Sequence, residues 1–217
     1  MLPGAGVVVR DRDWKVVWSN DVFARQFGGS PESLVGTTLY DILPADAAEE
    51  RMRSLRLSLE QRVRVQYISM WCGKRSATTI VPLEPTAFGH EGVLVVLSPA
   101  ISPDEGRGLP VCRTPVLGGG LERLSKAELC IAYLFSRGLS PTEIASRLCR
   151  SEHTINDHIK AMHRKFGVSR APELATILAR AGIAAFTEAE WCFLTGSTIP
   201  NASDTWEAKP VGIAAAR

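Results

Sequence analysis

The strongest constraint on this chain is a run of helix start and stop signals between residues 124 and 167. The stretch "LSKAELCIAYLFSRG" opens with Ser125 and Glu128 at the spacing that lets a hydroxyl and a carboxylate cap each other's backbone N–H groups, and it stops at Gly138. "SPTEIASRL" repeats the device: Ser140 caps, Pro141 takes the first helical position, and Glu143 closes the box. Only Cys149 and Arg150 separate it from Ser151, which caps "SEHTINDHIKAMHRKFG", and Gly167 ends that helix. A fourth helix is expected at about residues 170–181, with Leu174, Ile177, Leu178 and Ala181 on one side before Gly182. Two helices joined by so tight a turn, the second keeping one face polar and cationic, follow the plan of a helix-turn-helix.

The third of these helices holds three of the chain's four histidines, His153, His158 and His163. Residues five apart on an α-helix point about 140° away from each other, so no single metal ion could gather the three. Ile155, Ile159, Met162 and Phe166, in contrast, fall within about 60° and form a stripe of the kind a helix buries. Asn156, Asp157, Lys160, His153, His163 and Arg164 occupy the other side, where amides and cations can address base edges and phosphates.

Net charge is only +2, but its distribution is uneven. Residues 1–101 carry 11 basic and 11 acidic side chains, whereas residues 121–182 carry 10 basic against 6 acidic. A modest positive excess thus lies on the segment holding the histidine helix, as a nucleic-acid footprint would. The five cysteines are scattered, with no C-x-x-C pair, which argues against a disulfide framework or zinc site and suits a reducing cytoplasm. The start lacks a basic segment followed by a long apolar core, so no signal peptide is expected. The longest apolar run, Val93–Leu97, is far too short to span a bilayer.

The N-terminal half has a different grammar. "GVVVRDRDWKVVWSN" reads as two short strands hinged at Asp11–Trp14, and Asn20-Asp21 leads into a short helix with Val22, Phe23 and Phe27. "SPESLVG" is a further capped turn. "VRVQYISMWCGK", "RSATTIVPLEP" and "GVLVVLSPA" read as three more strands, with Cys72 on the first of them. The order β-β-α-α-α-β-β-β predicts an α+β domain, one antiparallel sheet with helices on a face. Residues 102–120, dense in Pro and Gly, are expected to be a flexible linker. The expected division is therefore 1–101, linker 102–120, an all-α four-helix domain over 121–185, and a partly disordered tail over 186–217.

Two resemblances sharpen this reading. Residues 124–174 resemble the LuxR-type (GerE-like) DNA-binding domain through Leu124-Ser125 with Glu128, Gly138, Glu143-Ile144-Ala145, Leu148, Ser151, Thr154-Ile155-Asn156, His158-Ile159, Lys165-Phe166-Gly167 and Arg170. The resemblance implies that Asn156, Asp157 and Lys160 face base edges. It implies phosphate contacts for Thr142, Ser151, Thr154, Arg164 and Lys165, and a framework role for His158. Asp157 departs from easy expectation: a carboxylate in the groove must find a cytosine amino group or pair with Lys160 or Arg164. Residues 5–100 resemble a PAS sensor domain through "VVWSN" with Asn20, the helix ending at Gly28-Gly29, "SPESLVG" with Glu32, Leu34 and Gly36, and "LYDILPAD". If that fold holds a cavity, Phe23, Phe27, Leu39, Ile42 and Tyr67 are candidate walls, although each is as well placed for plain core packing.

The expectation is a cytoplasmic one-component transcription regulator acting on double-stranded DNA as a homodimer, with Leu174, Ile177, Leu178 and Ala181 at the dimer interface and RNA polymerase as a further partner. No cofactor is identified, and the ligand of the PAS-like part is open. A rival makes the PAS-like part a protein-docking module without ligand. A phosphorylated receiver domain would need an acidic pocket and a βα repeat, and residues 1–101 show neither. An enzyme is not indicated: there is no nucleophile elbow, phosphate-cradling Gly loop or kinase histidine segment.

Overall fold

In the computed structural model, residues 4–200 are described. The N-terminal sheet has five strands, β1 (Gly6–Asp11), β2 (Val16–Ser19), β3 (Val65–Trp71), β4 (Lys74–Pro82) and β5 (Gly92–Pro99), in the order β2-β1-β5-β4-β3. Every neighbouring pair is antiparallel. Between β2 and β3 run three single-turn helices, α1 (Asp21–Ala24), α2 (Pro31–Leu34) and α3 (Leu39–Ile42), and then the long α4 (Ala45–Gln61). A fourth short helix, α5 (Pro85–Phe88), joins β4 to β5.

The two-residue side-chain period of the strands decides what each sheet face meets. Val8, Arg10, Val65, Tyr67, Thr78, Ile80, Val93 and Val95 lie on the face covered by α1, α3 and α4, where Phe23, Leu39, Met52 and Leu55 complete one core. Asn20 anchors the entry to α1: its side-chain oxygen accepts from the backbone N–H groups of Val7 and Phe23, and its amide donates to Ala5 O. Cys72 is not on a strand, as expected from sequence, but in the tight β3–β4 hairpin with φ 47°. A two-residue hairpin needs positive φ at both central positions, and Cys72 and Gly73 supply them.

The C-terminal helices are α6 (Lys126–Ser136), α7 (Pro141–Arg147), α8 (Glu152–Phe166) and α9 (Ala171–Ala181), followed by α10 (Glu188–Thr195). The caps are those the sequence announces: Ser125 and Ser140 form reciprocal boxes with Glu128 and Glu143, and Ser151 Oγ accepts from Thr154 N. α10 lies in the first part of the expected partly disordered tail and adds a fifth helix to the expected four-helix domain. Trp191 is fully buried, stacks on Tyr133 at 5.7 Å between ring centroids, and donates from Nε1 to Leu129 O. Residues 201–217 of the expected tail lie outside the described residues.

Residues 102–120, expected as a flexible linker, are pinned. Their backbone follows the free edge of β3: Ile68 N donates to Pro110 O, Cys112 N to Ile68 O, and Val116 N to Met70 O. Gly73 N donates to Val116 O, and a Cβ at Gly73 would stand 2.1 Å from Gly118 O. Glu50 on α4 accepts from the N–H groups of Arg113 and Thr114 and from the Thr114 hydroxyl. The physical reason is the exposed edge: an unpaired row of strand N–H and C=O groups offers partners that Pro/Gly-rich chain can use without forming a regular element. The second face of the sheet is then free, at its β3–β4 end, to pack on the helices. Ile68 and Met70 share one buried cluster with Tyr133, Leu174, Leu178, Ile183 and Phe186.

Candidate nucleic-acid interface

The reading helix α8 is set by a division of labour along its length. Ile155, Ile159 and Met162 are buried, while Asp157, Lys160 and Arg164 are exposed and Asn156 is half-buried. The amide of Asn156 has no hydrogen-bond partner among the described residues. Asp157 lies 3.5 Å from the Lys160 ammonium and 3.3 Å from His153 Nε2, so the carboxylate at the groove-facing position has its partners on its own helix. Arg164, the other candidate partner, is not used. Of the candidate phosphate contacts, Ser151 and Thr154 share a hydroxyl–hydroxyl bond of 2.8 Å, and Thr142 donates to Glu152.

Lys165 departs from expectation. Its ammonium lies 2.6 Å from Glu128 Oε2, and the Glu128 side chain is only 5% exposed. Burial alone would raise the Glu128 carboxyl; hydrogen bonds from Lys165 and Ser125, with the ammonium charge, outweigh it and hold the group below the usual carboxylate range. Lys165 is thus committed to tying α8 to the start of α6, which leaves Arg164 as the exposed cation of that turn. The reason is invisible to a helix wheel: Glu128 caps α6 and reaches α8 only through the tertiary crossing. His158 is half-buried beside the packed stripe. Among the described residues no group of three or more His, Cys, Asp or Glu side chains is placed to hold a metal.

The expected dimer face on α9 is also corrected. Leu174 and Leu178 are fully buried and Ala181 is 7% exposed, all inside the chain's own core, and only Ile177 remains half-buried. α9 packs on α6, α8, the 3-10 turn Ile183–Ala185 and β4, so its apolar side is consumed by the helical domain together with the N-terminal sheet.

In the N-terminal domain, Phe23, Leu39 and Tyr67 line an interior cavity of about 20 Å³, the space of one water molecule. Phe27 and Ile42 do not line it; they pack half-buried against the same core. The sequence reading missed the cavity's charged walls, Arg10 and Arg51, which are 1% and 2% exposed. Arg10 could have been found, because it alternates with Gly6 and Val8 on β1. Arg51 shares the α4 face of Ala47, Ala48 and Leu55.

Two family models match. Residues 2–69 match the PAS fold, and residues 122–178 match the bacterial regulatory proteins of the luxR family. The chain thus carries a luxR-type DNA-binding domain behind an N-terminal PAS domain. No curated protein sequence matches it. Among solved structures, the Vibrio cholera VqmA–ligand–DNA complex is 16% identical, covering 83% of this chain and 84% of that one, with a TM-score of 0.43. A phage VqmA in complex with DPO is 20% identical over 84% of this chain and 86% of that one, with a TM-score of 0.44. A domain of an HTR-like protein from Haloarcula marismortui is 18% identical over 44% of this chain and 97% of that one, with a TM-score of 0.40. No helix among the described residues is long and apolar enough to cross a membrane.

Proposed function

We propose that this luxR-family chain is a cytoplasmic one-component regulator in which a small molecule held by the PAS domain controls sequence-specific binding by the helix-turn-helix. The observation that supports it is the shared cluster: Ile68 and Met70 of the sensor sheet pack with Leu174, Leu178 and Phe186 of the helical domain. A change in the sheet therefore has a physical route to the DNA-binding helices. Asn156 and Lys160 are the base-reading candidates. Arg164, Thr142, Ser151 and Thr154 are the phosphate candidates, with Asp157 setting the position of Lys160.

A homodimer on paired half-sites belongs to the same reading. With α9 spent, the surface that favours it is the uncovered end of the sheet, where Trp18 is 52% exposed beside half-buried Val7, Val9, Leu94 and Val96. RNA polymerase is the proposed downstream partner. Selection of genomic fragments by the purified protein, read by sequencing, tests the proposal. A recurring site with two related half-sites is expected; recovery of fragments no different from the input would sink it. If the purified chain carries no small molecule yet retains a partner protein, the docking-module reading replaces the sensor.

A further inference from the structure

Arg10 and Arg51 enter the same small cavity from opposite layers of the PAS domain, one on β1 and the other on α4. Both are shut away from solvent. Arg10 Nη1 donates to the carbonyls of Trp14 and Thr37, and Arg51 donates to Ala47 O from Nη1 and to Thr114 O from Nη2. Arg10 Nη2 and Arg51 Nε, however, have no hydrogen-bond partner among the described residues. Among the described residues neither arginine forms an ion pair. Two buried guanidiniums with no ion-pair partner in contact are a costly arrangement unless a negative group completes it. Burial already pushes the Arg10 guanidinium down to about 10, against the pull of Asp11 and Asp41.

The remaining walls say what kind of anion would fit. Phe23, Leu39, Leu55, Val95 and Trp71 are apolar or aromatic, and Tyr67 and Thr78 add two buried hydroxyls. Trp71 also lies 5.2 Å from the Arg51 guanidinium, measured to the ring centre. A few convergent polar groups in an apolar cage describe a site for a molecule with an apolar body and one charged end. A carboxylate matches the planar fork of arginine, and each bond would be charge-assisted.

We propose that the PAS cavity takes a small carboxylate with an apolar body, its charge held between Arg10 and Arg51. This rests on the ligand-sensing reading above and names the class of ligand. The cavity of about 20 Å³ has room for one water-sized group, so binding requires α4 and the sheet to part around the ligand. Arg51 also gives occupancy an exit. Its Nη2 holds Thr114 O in the segment that runs along β3 to the helical domain, and its neighbour Glu50 holds the N–H groups of Arg113 and Thr114. An anion drawing on Arg51 alters the grip of α4 on that segment.

The test is thermal unfolding of the full chain, at constant ionic strength, with formate, acetate, benzoate and phenylacetate, each paired with its neutral amide. At least one carboxylate should raise the midpoint saturably while its amide does not. Arg10→Gln and Arg51→Gln, checked for native far-UV dichroism, should each weaken that response by about tenfold or more. Should either fail to fold, Arg10→Lys or Arg51→Lys, which keep the charge and lose the fork, takes its place with the same expectation. No response to any carboxylate, an equal response to an amide, or an undiminished response in the variants overturns the proposal. An equal amide response would leave the sensor reading standing with a neutral ligand. A carboxylate that stabilises the chain yet leaves its affinity for the selected DNA site unchanged would sink the sensor reading and leave the anion site intact.

Discussion

The guanidinium of Arg75 on β4 lies 5.1 Å from the ring centre of Phe186, just before α10, and this pair ties the PAS sheet to the helical domain. The same side chain donates from Nη1 to the carbonyls of Ala100, Ser102 and Glu105, so it also holds the first turn of the connecting segment. Arg75→Ala leaves those carbonyls short of a donor and removes the stacked contact. We expect a loss of about 1–3 kcal/mol and a split of urea unfolding into two transitions. Tryptophan fluorescence checks it, since Trp71 and Trp191 report on different cores. A single transition at an unchanged midpoint would show that Arg75 does not join the domains.

Lys165 and Arg164 are adjacent on α8 yet should behave differently. Arg164→Ala is expected to weaken all DNA about equally and flatten the salt dependence by about one unit, as loss of one phosphate contact does. Lys165→Ala is expected to act on stability instead, because it strands the buried carboxylate of Glu128. That pair also carries a pH signature. The folded-state Glu128 carboxyl is lowered, so its contribution is complete above the ordinary glutamate value of about 4.3 and is lost as pH falls through it toward the lowered one. Unfolding midpoints between neutral and acid pH, for wild type and Glu128→Gln, test this; parallel curves would refute it.

Asn156→Ala should cost on the order of 1–3 kcal/mol on the selected site and little on scrambled DNA, because an amide can hold adenine with two bonds. Titration of both duplexes at two salt concentrations makes the comparison. Equal losses on the two would mean that Asn156 does not read bases.

Trp191→Ala should destabilise the helical domain by about 3–5 kcal/mol, the range for removing a buried large aromatic. It deletes the stack on Tyr133 and the bond to Leu129 O together. Calorimetry of the variant should show the helical domain melting first, and an unchanged profile would mean that α10 is not part of its core.

Trp18→Lys on the uncovered end of the sheet should shift the mass of the free chain toward monomer without lowering its thermal midpoint, since Trp18 is half-exposed already. Analytical ultracentrifugation decides it. A dimer that persists undiminished would place the interface elsewhere.

The sequence by itself determined whatever is local. Capping boxes at Ser125 and Ser140 act over three residues, and hydrophobic spacing acts over one helix, so the positions of α6 to α9 were legible along the chain. α10 was not read from sequence, although Thr187 and Glu190 cap it in the structure and Trp191 enters the core behind them. The five strands and their antiparallel sheet were readable for the same reason, since the side-chain period of two is a property of one strand, but their order in the sheet, β2-β1-β5-β4-β3, was not. Tertiary structure decided everything that depends on what lies opposite. Lys165 and Glu128 are 37 positions apart and meet only because α8 crosses α6. Leu174 and Leu178 looked like spare apolar surface, but α6, α8 and the second face of the sheet together enclose them. The segment at 102–120 carries Pro and Gly that argue for a loose tether, yet the edge of β3 and the carboxylate of Glu50 bind its backbone, whose hydrogen-bonding groups are the same whatever the side chains. Arg10 and Arg51, lastly, are ordinary surface residue types; only the closing of α4 over the sheet buries both guanidiniums at one cavity with a nitrogen of each left unpaired.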